Sequence, residues 1–176
     1  HNLGAVHWDL GDASTARRLY QEAQAMFRDL DDRQSVALSL VGLGELAQEE
    51  GNYAEAHTFA DESLRIYQAH GQQRGICLCL VVLGGSSLGL GDHAAARGYL
   101  EESLKVADRI GAMKELALSL EGLAALRAIT TSPTIAFRLW GAAEALREKI
   151  GAPLRPSELA MREEQYRASG LDAAGA

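Results

Sequence analysis

Leu43-Gly44-Glu45-Leu46-Ala47-Gln48-Glu49-Glu50-Gly51-Asn52-Tyr53-Ala54-Glu55-Ala56 carries the reading of the whole chain. Upstream of it, Val36, Leu40, Leu43 and Ala47 recur at helical intervals and define one apolar face. Downstream, Ala56, Phe59, Ala60, Leu64 and Tyr67 do the same. Between the two runs stands Gly51, a residue that ends helices, followed by Asn52, a residue type that caps them. Glu55, three residues after Asn52, has the spacing of a capping box. The stretch therefore reads as two helices joined by a tight turn.

The same pattern returns 40 residues away in both directions. Leu43-Gly44 is matched by Leu3-Gly4, Leu83-Gly84 and Leu123-Ala124. Gly51 is matched by Gly11 and Gly91, with Thr131 in the fourth row, and Asn52 by Asp12, Asp92 and Ser132. Ala16, Ala56, Ala96 and Ala136 form one column, and Tyr20, Ala60, Leu100 and Trp140 another. Asp31, Gly71, Gly111 and Gly151 close each unit. A fixed period of this kind marks a repeat array. The units are about 1–31, 32–71, 72–111 and 112–151, so the array occupies residues 1–151.

Helices are expected at about 2–10, 13–30, 33–50, 53–70, 74–90, 93–110, 113–130 and 133–150. Pro133, directly after Ser132, suits a first helical position. A last helix is expected near 157–169, between Pro156 and Gly170, followed by a frayed tail from Leu171. Residues 152–176 are thus read as a capping helix and tail, with Leu159 and Tyr166 turned inward. Glycine inside a helix costs roughly 1 kcal/mol against alanine. Its recurrence at 4, 44 and 84, beside the alanine column, implies close approach of paired helices. No stretch alternates with period 2 for long enough to argue for a sheet.

These columns resemble the tetratricopeptide repeat. The family's Leu-Gly on its first helix is similar to Leu3-Gly4, Leu43-Gly44 and Leu83-Gly84; its turn glycine to Gly11, Gly51 and Gly91; its second-helix alanine to the column at 16, 56, 96 and 136. The 40-residue unit is longer than the common 34. The family's closing proline and early tryptophan are not matched. The stretch from Phe137 to Leu154, with Pro156-Ser157-Glu158, resembles the C-terminal end of bacterial predicted-ATPase transcriptional regulators of the STAND or LuxR-like type. The resemblance implies an all-α, right-handed superhelix of antiparallel helix pairs, about 3.5 repeats plus a C-terminal helix. It also implies a concave face lined by the first helix of each pair.

Chemistry is sparse. Gly84-Gly85-Ser86-Ser87-Leu88-Gly89-Leu90-Gly91-Asp92 has the glycines of a phosphate loop but lacks GxxxxGK[ST] and follows no strand. Its extra glycines, Gly85 and Gly89, would weaken the helix or admit a partner's backbone. Cys77 and Cys79 point about 200° apart on a helix and cannot share a metal, so they read as free, partly buried thiols. The histidines at 1, 7, 57, 70 and 93 form no i,i+4 pair and read as solvated surface. No catalytic constellation appears, so the chain is read as a non-enzyme without cofactor or metal. Trp140 falls in a core column; Trp8 suits either a groove position or an end contact.

Seventeen Lys and Arg against 24 Asp and Glu give a net charge of −7. That balance argues against direct contact with nucleic acid or an anionic membrane. Two cysteines point to a reducing, cytoplasmic setting. With no initiating Met at His1, the sequence reads as part of a longer protein. The expected role is a protein-interaction or sensor scaffold within a larger signalling or transcription-regulatory protein; a small-molecule sensor and a self-association or spacer module are the alternatives. By family analogy the partner surface comprises Trp8, Leu38, Val41, Glu45, Gln48, Leu78, Val81, Gly85, Leu88, Leu118, Glu121 and Ala125. No Lys or Arg lies in this set, so the groove is expected to be mildly acidic. The partner is a protein, a peptide or another domain of the parent. A second copy could meet the N-terminal end through Leu3, Val6 and Leu10.

Overall fold

The computed structural model describes residues 1–130, 133–155, 158–160 and 162–164. Eight helices follow one another: α1 (Asn2–Asp9), α2 (Ala13–Asp29), α3 (Arg33–Glu49), α4 (Tyr53–Ala69), α5 (Gln73–Gly89), α6 (His93–Ile110), α7 (Met113–Thr130) and α8 (Pro133–Ile150). Residues 158–160 and 162–164 are also helical. The described residues contain no strand. Successive helices pack as pairs, and α5 also touches both α3 and α7 across the pairs. The architecture is the all-α, tetratricopeptide-like superhelix that the repeat implied.

Turn chemistry explains the element boundaries. Gly11, Gly51 and Gly91 adopt φ of +81°, +77° and +81°, a left-handed conformation that costs any residue with a Cβ. The unit-closing column is left-handed too, and there Asp31 holds φ +52° without being glycine. Asp12 and Asp92 cap as expected, accepting from Thr15 N–H at 3.1 Å and Ala95 N–H at 2.9 Å. Hydrogen bonds from the Thr15 side chain and backbone and from Ser14 hold the Asp12 carboxyl down to about 2. Asp32, outside the cap column, does the same for Ser35. Asn52 does not cap: its amide donates to Glu50, and Glu55 pairs with Arg17 at 3.3 Å instead of closing a capping box. Ser132 lies outside the described residues.

The glycine columns accommodate large side chains. The Tyr20 ring fills the space where Cβ atoms of Gly4 and Gly42 would stand, 2.9 Å and 2.8 Å from those positions. Leu100, fully buried, is wedged in the same way between Gly84 and Gly122. One bulky residue on the second helix of a unit thus keys into notches on two first helices, which joins neighbouring units. Buried hydroxyls tie the two helices of a pair together. Ser63 Oγ donates to Ala37 O at 2.8 Å and Ser103 Oγ to Cys77 O at 3.0 Å.

Cys77 and Cys79 are fully rather than partly buried. They face opposite neighbours, Cys77 toward Ser103 and Cys79 toward Ser63, as their angular separation requires. Burial pushes their thiols up to about 11 and about 12, so they are unreactive at neutral pH. Trp140 is buried against Ala124 and Ala136.

At the N-terminal edge, Leu3, Leu10 and Leu30 are 67%, 76% and 74% exposed, and Val6 and Met26 are also bare. At the other end the sequence expectation needs correction. Leu159 is 44% exposed and does not point inward; Tyr166 and the residues beyond 164 lie outside the described residues.

Candidate functional groove

The first helices of successive units, α1, α3, α5 and α7, line a concave cavity of about 400 Å³. Nine of the twelve residues anticipated for this face line it: Trp8, Glu45, Gln48, Val81, Gly85, Leu88, Leu118, Glu121 and Ala125. The other three do not. Val41 is buried in the core with Ala37, Ala60 and Val82. Leu78 packs against that same cluster, and Leu38 is exposed outside the cavity. Their counterparts in register, Val81 and Leu118, do line the cavity, so the difference lies in how far the cavity extends and not in helix phase.

The extra glycines of α5 do not leave room for a partner. The space beside Gly85 is taken by the Gln48 amide, which donates to Val82 O at 2.8 Å and lies 3.2 Å from Ser86 Oγ. Tyr53 covers Gly89. The glycines therefore admit side chains of the preceding unit.

The groove is also less acidic than its first-helix residues suggested, because arginines reach it from elsewhere. Arg147 of α8 grips Glu121 with two bonds of 2.6 Å and 2.7 Å. Arg155 and Arg162, from the segment after α8, line the cavity together with Leu154 and Glu158. The Arg155 guanidinium lies 3.6 Å from the centroid of the Trp8 ring. Its Nη2 is 3.4 Å from Glu49 and 3.1 Å from Glu158. Glu49 in turn accepts from the Trp8 indole N–H at 2.7 Å. Trp8 is thus a groove residue, held in orientation by α3. Burial opposes the charges of Arg155 and Glu158, yet their mutual bonds hold Glu158 below the ordinary carboxylate range.

Glu45 is different. It sits half-buried on the groove floor, and burial pushes its carboxyl up to about 7, against partial relief from Arg155 and Lys114. Burial, with Glu45 nearby, also pushes the Tyr20 phenol up to about 12.

Sequence reasoning missed Arg155, which belongs to no repeat column. Its signal was local: in Arg155-Pro156-Ser157-Glu158 an acid follows Arg155 at the three-residue spacing of a reciprocal cap. Glu158 accordingly accepts from the Arg155 backbone N–H at 2.7 Å. Of the histidines, His93 and His70 are exposed, whereas His57 is half-buried, with its ring packed edge-on against Tyr99. Among the described residues, no group of three or more His, Cys, Asp or Glu could hold a metal. No helix among them is long and apolar enough to cross a membrane.

Comparison with known proteins agrees with this geometry at one end of the chain. The family model described as tetratricopeptide repeat matches residues 1–69, which span α1 to α4. No curated protein matches the sequence.

Proposed function

We propose that the chain is a non-catalytic interaction scaffold whose concave groove docks a peptide segment of a protein partner. The observation that carries this reading is the half-buried apolar surface of Val81, Leu88 and Leu118, open to the cavity and bordered by charged side chains. A groove of this kind supplies apolar anchors at its centre and a polar rim. Tetratricopeptide repeats generally serve protein–protein contact, which supports the same conclusion. The test is selection of binding peptides from a random displayed library on the intact chain. Val81→Arg or Leu118→Arg should abolish capture, and Arg18→Ala, an exposed change on α2, should not. Selected peptides indifferent to both groove substitutions would refute the proposal.

The cavity volume favours a second reading, a small-molecule sensor, because about 400 Å³ lies within the range of ligand pockets. A metabolite screen by thermal shift tests it, since a ligand specific to the folded state raises the melting temperature. Membership in a larger cytoplasmic signalling or transcription-regulatory protein rests on the resemblance of residues 137–158; a nucleotide-binding module in the same reading frame would support it. DNA contact is assigned elsewhere, on the net charge of −7. The bare Leu3, Val6 and Leu10 favour self-association through the N-terminal edge, which sedimentation of Leu10→Lys against the unchanged chain would test.

A further inference from the structure

The floor of the groove near α1 and α3 is built around a guanidinium. Trp8 offers an aromatic face, and Glu49 fixes the ring while turning its other oxygen to the stacked cation. Glu45 lines the same cavity within electrostatic reach of Arg155, whose charge favours its ionised form, whereas Glu121 is already paired with Arg147. The group that fills this cradle comes from a short segment after α8, not from a repeat. Arg155 Nη1 is buried there without a hydrogen-bond partner, so the fit of this occupant is incomplete.

We propose that Trp8, Glu49 and Glu45 form an arginine subsite for the partner peptide, and that Arg155 is an internal stand-in which a partner's arginine displaces. The inference rests on the peptide-docking reading and names the chemistry of its partner: an extended or helical segment with one arginine next to an apolar residue, as Leu154 adjoins Arg155. The two parts of the cradle impose different requirements. A face-on stack selects the planar guanidinium over the ammonium of lysine. The carboxylates supply attraction but not shape. Because Arg155 is tethered, it competes at a high effective concentration, and a partner must outbid it.

The test uses the intact chain and a fluorescent peptide of residues 152–164, followed by anisotropy. The Arg155→Ala chain should bind this peptide at least about tenfold more tightly than the unchanged chain, because its own competitor is gone. A peptide with alanine at the arginine position should lose about tenfold on the Arg155→Ala chain, and one with lysine should fall between. Unaltered far-UV circular dichroism and melting of α1–α8 verify that the variant is folded. As a second variant, Trp8→Leu should abolish the preference for arginine over lysine in the peptide. Equal affinity of both chains would overturn the stand-in role. Tight binding that ignores the arginine would overturn the subsite while leaving the groove as a peptide site. Absence of binding to either chain would overturn the whole inference, leaving library selection to decide the docking reading independently.

Discussion

The seam between helix pairs and the concave groove are built on the same first helices, where Gly122 belongs to both, yet they obey different rules. In the seam the packing follows the repeat columns: a bulky side chain at 20 or 100 meets glycines on two helices, and Ala60, in the same column, packs instead with Val82. In the groove, the residues that set charge and shape do not repeat. Gln48, Tyr53 and Arg147 intrude from neighbouring helices, and Arg155 from outside the helix pairs altogether. Repetition therefore specifies how the units stack, and departures from repetition specify what the groove can hold.

The largest expected effect lies in the seam. Leu100→Ala should destabilise the chain by about 3 kcal/mol, measured by urea denaturation, because it empties a fully buried site between Gly84 and Gly122. Val81→Arg, one turn before Gly84 on α5 but open to the groove, should cost under about 1 kcal/mol, since a long side chain at a half-buried position can reach water. A comparable loss for both would erase the distinction between seam and groove.

Glu45 gives an intermediate effect with a defined sign. Its carboxyl titrates near 7 in the folded chain against an ordinary 4.5, so the folded state binds more protons between those values. Stability then falls as pH rises through that window. Glu45→Gln should remove this fall and be more stable than the unchanged chain at pH 8 by about 1–2 kcal/mol. A parallel pH profile for both proteins would place the Glu45 carboxylate in water. The smallest effect belongs to Asp31, the exception in the unit-closing column. Asp31→Gly should gain about 0.5 kcal/mol by relieving φ +52°, read as a small rise in melting temperature. No gain would mean that the Asp31–Arg33 pair, 2.9 Å apart, offsets the strain.

Helix boundaries were legible to within about one residue because left-handed glycines and apolar periodicity both mark them locally. The direction of the groove was legible for the same reason, and the error at Leu38, Val41 and Leu78 is one of extent, since their counterparts Val81 and Leu118 do line the cavity. The position of Leu154 and Arg155 was not legible. A capping role follows from the general need to cover the end of an array. The observed position of Arg155 depends on a stack on Trp8 and an ion pair with Glu49, both distant in sequence. Neither Asn52 nor Glu55 could be read correctly, because Glu50 and Arg17 compete for their side chains.

Methyl-resolved NMR of the intact chain, titrated with a library-selected peptide, tests the central claim most directly. The account expects shifts concentrated at Val81, Leu88, Leu118 and Ile129, with Ile66 and Leu139 on the second helices unmoved. Shifts centred on Ile66, Leu139 or the N-terminal Leu3 and Leu10, with the groove methyls still, would contradict it.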